Sequence, residues 1–221
     1  VPGAAVIGGD TARAASVLLA VTGLGDLAGR APVLRSGAAP GDVVAVAGPL
    51  GPAAAGLALL AAGRTEGPLV AAQRRPAPPY DAGPEAADLG ATAMIDISDG
   101  LLADLGHIAD ASGVLIDLSR AALSPGDSLL AAASFIFSSG TDLGSPSPPD
   151  LIALNWVLSG GEDHSLAATF PPGVALPPRW IPIGKVHPGQ ARPGHDGGRS
   201  GPGVVLDSQP WQHAAGWDHF A

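Results

Sequence analysis

The run Met94-Ile95-Asp96-Ile97-Ser98-Asp99-Gly100-Leu101-Leu102 places two carboxylates and a hydroxyl where an apolar stretch gives way to a helical pattern. Such a group can do one of two things. Ser98 or Asp99 can cap the helix, because a side-chain oxygen accepts a hydrogen bond from an unpaired first-turn amide and the helix dipole favours an acid there. Alternatively, the acids hold a cation or, through it, a phosphate. Capping accounts for one acid and leaves Asp96 over, since a carboxylate inside an apolar strand is disfavoured unless it is paired or bound. Two carboxylates about 4 Å apart repel by roughly 4 kcal/mol at an effective dielectric of about 20, so a cation would relieve them. From these residues alone, both readings stand.

The elements around the run are those that must position it. Ala93 to Ile97 reads as a strand, and strand ends in open α/β sheets face ligands. A helix follows from near Gly100, burying Leu101, Leu102, Leu105 and Ile108, with Asp104, His107 and Asp110 expected largely on its other face.

Two further stretches repeat the theme of glycines followed by acids, and another carries a cation. Gly8-Gly9-Asp10-Thr11 follows a short apolar run, Ala4 to Ile7, and reads either as an ordinary turn or as a backbone that lets a bulky group approach. Arg35, in Leu34-Arg35-Ser36-Gly37-Ala38, is either a surface charge or a planar fork for phosphate. Trp156-Val157-Leu158 reads as a strand leading into Ser159-Gly160-Gly161-Glu162-Asp163-His164.

The remaining pattern gives strands at Ser16–Thr22, Val43–Ala47, Val114–Leu118, Leu166–Phe170, Trp180–Val186 and Gly203–Asp207. Helices are expected at Pro52–Ala62, Leu69–Arg75, Asp81–Leu89 and from Asp127 to about Phe135. Gly140–Asp150 and His187–Pro202 read as long loops, the first of them mobile.

Composition removes several function classes. The chain has 221 residues, enough for one large domain or two small ones, and its core is aliphatic: 46% of residues are hydrophobic but only 4% aromatic. With a formal charge of −9 it lacks the clustered cations that a nucleic-acid backbone requires. It has no cysteine, so neither disulfides nor thiolate zinc sites are available, which fits a reducing, cytoplasmic setting. The histidines are not at metal-ligand spacing. No apolar stretch is long enough to span a bilayer. Gly23, Gly25 and Gly29 miss the dinucleotide fingerprint by one position, and no Gly-Lys-Ser/Thr follows Gly48-Pro49-Leu50-Gly51. The N-terminus, Val1-Pro2-Gly3-Ala4, has neither initiator Met nor a positive leader region, so the chain is expected to begin inside a longer one.

Taken in series, Gly8-Gly9-Asp10-Thr11, Arg35-Ser36-Gly37-Ala38 with Pro40-Gly41-Asp42, Ile95-Asp96-Ile97-Ser98-Asp99-Gly100-Leu101, Ser159-Gly160-Gly161-Glu162-Asp163 and Gly216-Trp217-Asp218-His219-Phe220 resemble the thiamine-monophosphate kinase family of the aminoimidazole ribonucleotide synthetase-like superfamily. The resemblance implies an α/β (α+β) fold: residues 1–35 as the last strands of an N-terminal ATP/Mg-binding domain, and residues 36–221 as the C-terminal α/β domain. It implies ATP-dependent phosphorylation of thiamine monophosphate to thiamine diphosphate with Mg²⁺, and a homodimer in the full-length parent. Gly9, Asp10, Arg35 and Ser98 would meet the nucleotide. Asp10, Asp96 and Asp99 would hold magnesium, and Glu162 and Trp217 would contact thiamine. No residue would be a covalent nucleophile. Such chemistry asks for alignment and charge neutralisation, which carboxylates and cations supply.

The chain also departs from the family. A further N-terminal portion is absent, the Arg-Pro-x-Pro-Arg motif becomes Arg75-Pro76-Ala77-Pro78-Pro79, and His164 stands where Tyr is common. This polypeptide alone is therefore expected to be a poor kinase or none. The alternatives are another ATP-using synthetase of the superfamily and a catalytically silent nucleotide-binding or assembly module.

Overall fold

The structure, a computed structural model, describes residues 3–141, 147–189, 203–213 and 216. Trp217, the centre of the expected 140–150 loop and most of the 187–202 loop lie outside the described residues. Contacts divide the chain into two units, Val1–Pro32 and Val33–Ala221.

In the first unit the described residues form no helix or strand, contrary to the strands expected at Ala4–Ile7 and Ser16–Thr22. Both runs are apolar enough, but a strand exists only as part of a ladder. Val6, Ile7, Val17, Leu18, Leu19 and Val21 are instead exposed. A turn near its end is closed by the Ala28 N–H donating to Asp26 Oδ1 and the Arg30 N–H donating to the Leu27 carbonyl.

The second unit is built on a six-stranded sheet. In chain order its elements are β1 (Val43–Ala47), α1 (Pro52–Ala61), α2 (Pro68–Arg74), α3 (Ala82–Asp88), β2 (Ala93–Ile97), α4 (Leu101–Ser112), β3 (Val114–Leu118), α5 (Asp127–Ser139), α6 (Pro149–Ser159), β4 (Ser165–Phe170), β5 (Trp180–Pro188) and β6 (Val204–Leu206). The strand order is β2-β4-β1-β5-β3-β6. Every neighbouring pair is antiparallel except β3 and β6. The expected α/β composition is present, but the sheet is not the parallel kind whose strand ends all face one crevice.

Period-2 alternation sorts the strand residues onto two covered faces. Val44 and Val46 of β1, with Ile95 and Ile97 of β2, join the main core under α1, α4, α5 and α6. Ala45 and Ala47, with Ala168 and Phe170 of β4, face a smaller cluster closed by α3 and Trp180. There the Phe170 and Trp180 rings meet edge-on at 5.1 Å, and the indole N–H donates to Glu85 Oε2 at 2.9 Å. Because β1 is covered on both sides, four of its five residues are buried and the run reads as continuously apolar.

Two elements correct the sequence reading. Trp156-Val157-Leu158 is not a strand but the end of α6, a helix with Pro at its first position. Ile152, Ala153, Leu154, Trp156, Val157 and Leu158 are all buried, and a helix sunk on nearly every side carries no 3.6-residue stripe. Helix α5 runs past Phe135 to Ser139, because nothing stops it before Gly140, which takes the left-handed conformation at φ 67°.

Candidate functional site

The acid turn is built by β2 running into α4. Ile95 and Ile97 anchor the strand, and Leu101, Leu102, Leu105 and Ile108 anchor the helix, each burial contributing on the order of 2 kcal/mol. Asp96 faces the other way from its two isoleucine neighbours and is exposed, while Ser98 and Asp99 are half-buried at the turn itself. Gly100 has φ 127° and approaches the Ser159 carbonyl so closely that an added Cβ would lie 2.7 Å from its oxygen. A side chain there would be strained and would collide.

The helix is capped from inside. Neither Ser98 nor Asp99 caps it; the N-cap is Gly100, with no capping side chain of its own. Asp104, expected on the outer face, is instead only 3% exposed. Its Oδ2 accepts the Asp99 N–H at 3.0 Å and the Gly100 N–H at 3.1 Å. Lying three residues after Leu101 and four before Ile108, Asp104 falls on the buried stripe, where its carboxylate meets the orphan amides of the helix start. Burial pushes its carboxyl above the ordinary value, the two N–H bonds oppose that, and the nearby charges of Asp99 and Asp96 push further in the same upward direction. Three carboxylates therefore crowd one turn. Sequence reading missed Asp104, although an acid in the first helical turn is itself a start signal.

Residues 160–164 fold against this turn. The Glu162 N–H donates to the Ser98 carbonyl at 2.8 Å and the His164 N–H to the Ile97 carbonyl at 3.0 Å. Gly161 is needed for the approach, since a Cβ on it would lie 2.5 Å from the Ser98 carbonyl oxygen. Glu162 and His164 both have left-handed backbones, at φ 69° and 52°, and their side chains approach at 3.4 Å between Oε2 and Nε2. Between them Asp163 turns inward, where Oδ2 accepts the Gly51 N–H at 2.5 Å and Oδ1 the Ala53 N–H at 2.8 Å at the start of α1. Burial pushes the Asp163 carboxyl up to about 6, against the lowering pull of those amides and of His164. Gly216 also reaches the turn: a Cβ on it would lie 2.5 Å from the Asp99 carbonyl oxygen.

The structure thus brings Asp96, Ser98, Asp99 and Glu162 together, with Gly216 beside them. Arg35 is placed elsewhere. Its carbonyl accepts the Ser112 hydroxyl at the far end of α4, and the Leu34 carbonyl accepts the Met94 N–H near the start of β2. A twelve-residue helix is about 18 Å long, so the Arg35 backbone and the acid turn stand at opposite ends of it. Gly9 and Asp10 belong to the first unit, where the Thr11 N–H donates to Asp10 Oδ1 at 2.8 Å. Among the described residues no three His, Asp or Glu side chains are arranged to enclose a metal ion. The donor set nonetheless suits a hard cation such as Mg²⁺, which takes one or two carboxylates and completes its shell with water and ligand phosphates. Repulsion between Asp96, Asp99 and Asp104 is what such an ion would relieve.

The family model for the AIR synthase related protein, C-terminal domain, matches residues 39–162, from the start of the sheet through Glu162. The chain belongs to that family. Among curated relatives of this AIR synthase-related chain, the thiamine-monophosphate kinase of Mycobacterium tuberculosis is 49% identical over 99% of this chain and 58% of its own length. That of Escherichia coli K12 is 39% identical over 98% of this chain and 63% of its own. The chain therefore spans about three fifths of these two relatives. Among solved structures, AaThiL complexed with AMPPCP and TMP superposes with a TM-score of 0.64 at 30% identity, covering 85% of this chain and 54% of that one. The resemblance first carried by five short motifs is thus a relationship along nearly the whole chain. No helix among the described residues is long and apolar enough to cross a membrane.

Proposed function

We propose that this chain serves the ATP-dependent phosphorylation of thiamine monophosphate to thiamine diphosphate, by direct transfer of the γ-phosphoryl group to the substrate's own phosphate. The observation that carries the reading is the crowded acid turn, set on an AIR synthase-related scaffold whose curated relatives are named thiamine-monophosphate kinase and one of whose solved neighbours is complexed with AMPPCP and TMP.

Asp96 and Asp99 would hold Mg²⁺, and Asp10 would be a magnesium ligand as well. Bound there, the metal would neutralise the charge of the phosphates and keep them in line for transfer. The chain's own residues supply alignment. The Asp104 clamp fixes the Asp99 and Gly100 backbone, so the two metal-facing carboxylates do not have to be ordered when the nucleotide arrives. Ser98 and Gly9 would contact the nucleotide. Arg35, at the other end of α4, would meet a part of it remote from the acid turn, which an elongated ligand such as ATP allows. Glu162, exposed above the turn, would contact thiamine, and Trp217 would stack on it. No nucleophile is required of the protein. The full-length enzyme would act as a homodimer in the cytoplasm.

The test is thiamine diphosphate formation by the purified full-length protein from thiamine monophosphate, ATP and Mg²⁺, abolished by chelation. ATP consumption that ignores thiamine monophosphate but responds to an amidine or selenide substrate would overturn the assignment in favour of a synthetase. Calorimetric ATP binding with no turnover on any substrate would overturn it in favour of a silent module.

A further inference from the structure

We infer that Asp163 is a positioning residue: it latches residues 160–164 to the start of α1 and thereby presents Glu162 beside the acid turn. The part played by Glu162 rests on the function proposed above; the latch itself rests on geometry alone.

The segment is held to β2 by two main-chain bonds, from the Glu162 and His164 amides to the Ser98 and Ile97 carbonyls. These set its position along the strand but do not decide which side chains turn inward. Left-handed backbones at both Glu162 and His164 make that decision, rolling Asp163 into the interior at 3% exposure and leaving the Glu162 side chain 69% exposed. Non-glycine residues persist in that conformation only when their surroundings over-determine it. Asp163 supplies the missing constraint. Its two oxygens are divided between two amides at the mouth of α1, Gly51 and Ala53, more than a hundred residues away in sequence.

The choice of side chain is specific. Two N–H donors approaching separate oxygens need two acceptors, and an ionised carboxylate provides only acceptors. Asparagine would turn its NH₂ towards one of the donors, and glutamate would carry the carboxylate one methylene beyond the two amides. The charge also suits the positive end of the helix. Burial raises the carboxyl's pKa to about 6, so the group is kept at a cost to its hydration that a merely decorative acid would not bear.

The test uses the full-length enzyme with Asp163→Asn, which retains one of the two bonds, alongside Asp163→Ala, Glu162→Ala and the double variant Glu162→Ala/Asp163→Asn. Hydrogen exchange at the Glu162 and His164 amides is expected to accelerate about tenfold or more in Asp163→Asn, while the β1 amides keep their protection. The KM for thiamine monophosphate is expected to rise about tenfold with the KM for ATP unchanged, and no further rise is expected when the change is added to Glu162→Ala. Unchanged exchange at those two amides in a folded Asp163→Asn protein overturns the inference. So does a double variant whose KM effects simply multiply. Accelerated exchange together with a Glu162→Ala enzyme of normal KM would support the latch while removing the thiamine contact assigned to Glu162, so the two failures are told apart.

Discussion

Replacing Asp104 separates its electrostatic burden from its structural use. Both amides of the turn, Asp99 and Gly100, donate to one oxygen, Oδ2. Truncation to alanine therefore strips two donors at once. The Gly100 amide is buried and unsatisfied, at a cost of about 2 kcal/mol, while the Asp99 amide is partly reached by water and costs about 1 kcal/mol. Against this stand the desolvation of the carboxylate and its repulsion by Asp99 and Asp96, which removal relieves. The net expectation for Asp104→Ala is a loss of about 2 kcal/mol, which lowers Tm by roughly 4–8 °C in a domain of this size. Asp104→Asn behaves differently. Its single carbonyl oxygen can take the place of Oδ2 and accept both amides, and its NH₂ group then faces the acidic neighbours. That variant is expected to be as stable as the parent protein at neutral pH or more so. Thermal and urea denaturation of the three proteins at pH 7 would rank alanine below parent and asparagine at or above it. An asparagine variant as unstable as the alanine one would refute the single-oxygen clamp, and a neutral alanine variant would refute the turn's dependence on it.

Asp163 carries a pH signature. Its carboxyl is raised from 3.8 to about 6, so its contribution favours the fold fully below pH 3.8 and is lost as pH rises through about 6; the two-unit rise corresponds to about 3 kcal/mol. Urea titrations at pH 4 and pH 7.5 should show the parent protein losing stability relative to Asp163→Asn across that window, and a constant difference would contradict it. Gly161→Ala should push residues 160–164 off the Ser98 carbonyl, raising the KM for thiamine monophosphate severalfold and costing about 1–3 kcal/mol; an unchanged KM would show that this approach is not needed. Trp180→Phe keeps the edge-on contact with Phe170 but removes the indole donor, leaving Glu85 Oε2 to Arg179 Nε at 3.4 Å, for an expected loss of about 1 kcal/mol in denaturation; a loss above about 3 kcal/mol would mean that the indole does more than donate one bond.

The parts of this protein that were legible in its sequence are those governed by local rules. β2 and α4 announce themselves through a short apolar run, a Gly-containing turn and a leucine stripe, and both form where expected. Helix α6 does not, since burial on almost every side erases periodicity and leaves Trp156-Val157-Leu158 looking like a strand. The runs at Ala4–Ile7 and Ser16–Thr22 fail for the converse reason: their composition suits a strand, yet ladder partners are not a local property. At the site, the Asp96–Asp99 pair was visible, and Asp104 was discoverable from its spacing to Leu101 and Ile108. The work of Asp163 was not, because its partners at Gly51 and Ala53 are far away in the chain. Family motifs marked the glycines and acids without saying which acid faces outward and which one locks the loop.

That long reach bears on how the protein comes to life. The latch joins the first crossing of the sheet to residues translated more than a hundred codons later, and β2 finds its ladder only when β4 has emerged. Contacts so distant in sequence are slow to close and close last. A nascent chain halted before β4 would carry the Asp96–Asp99 segment with only the local Asp104 clamp to hold it, so the acid turn is complete only once β4 has joined the sheet.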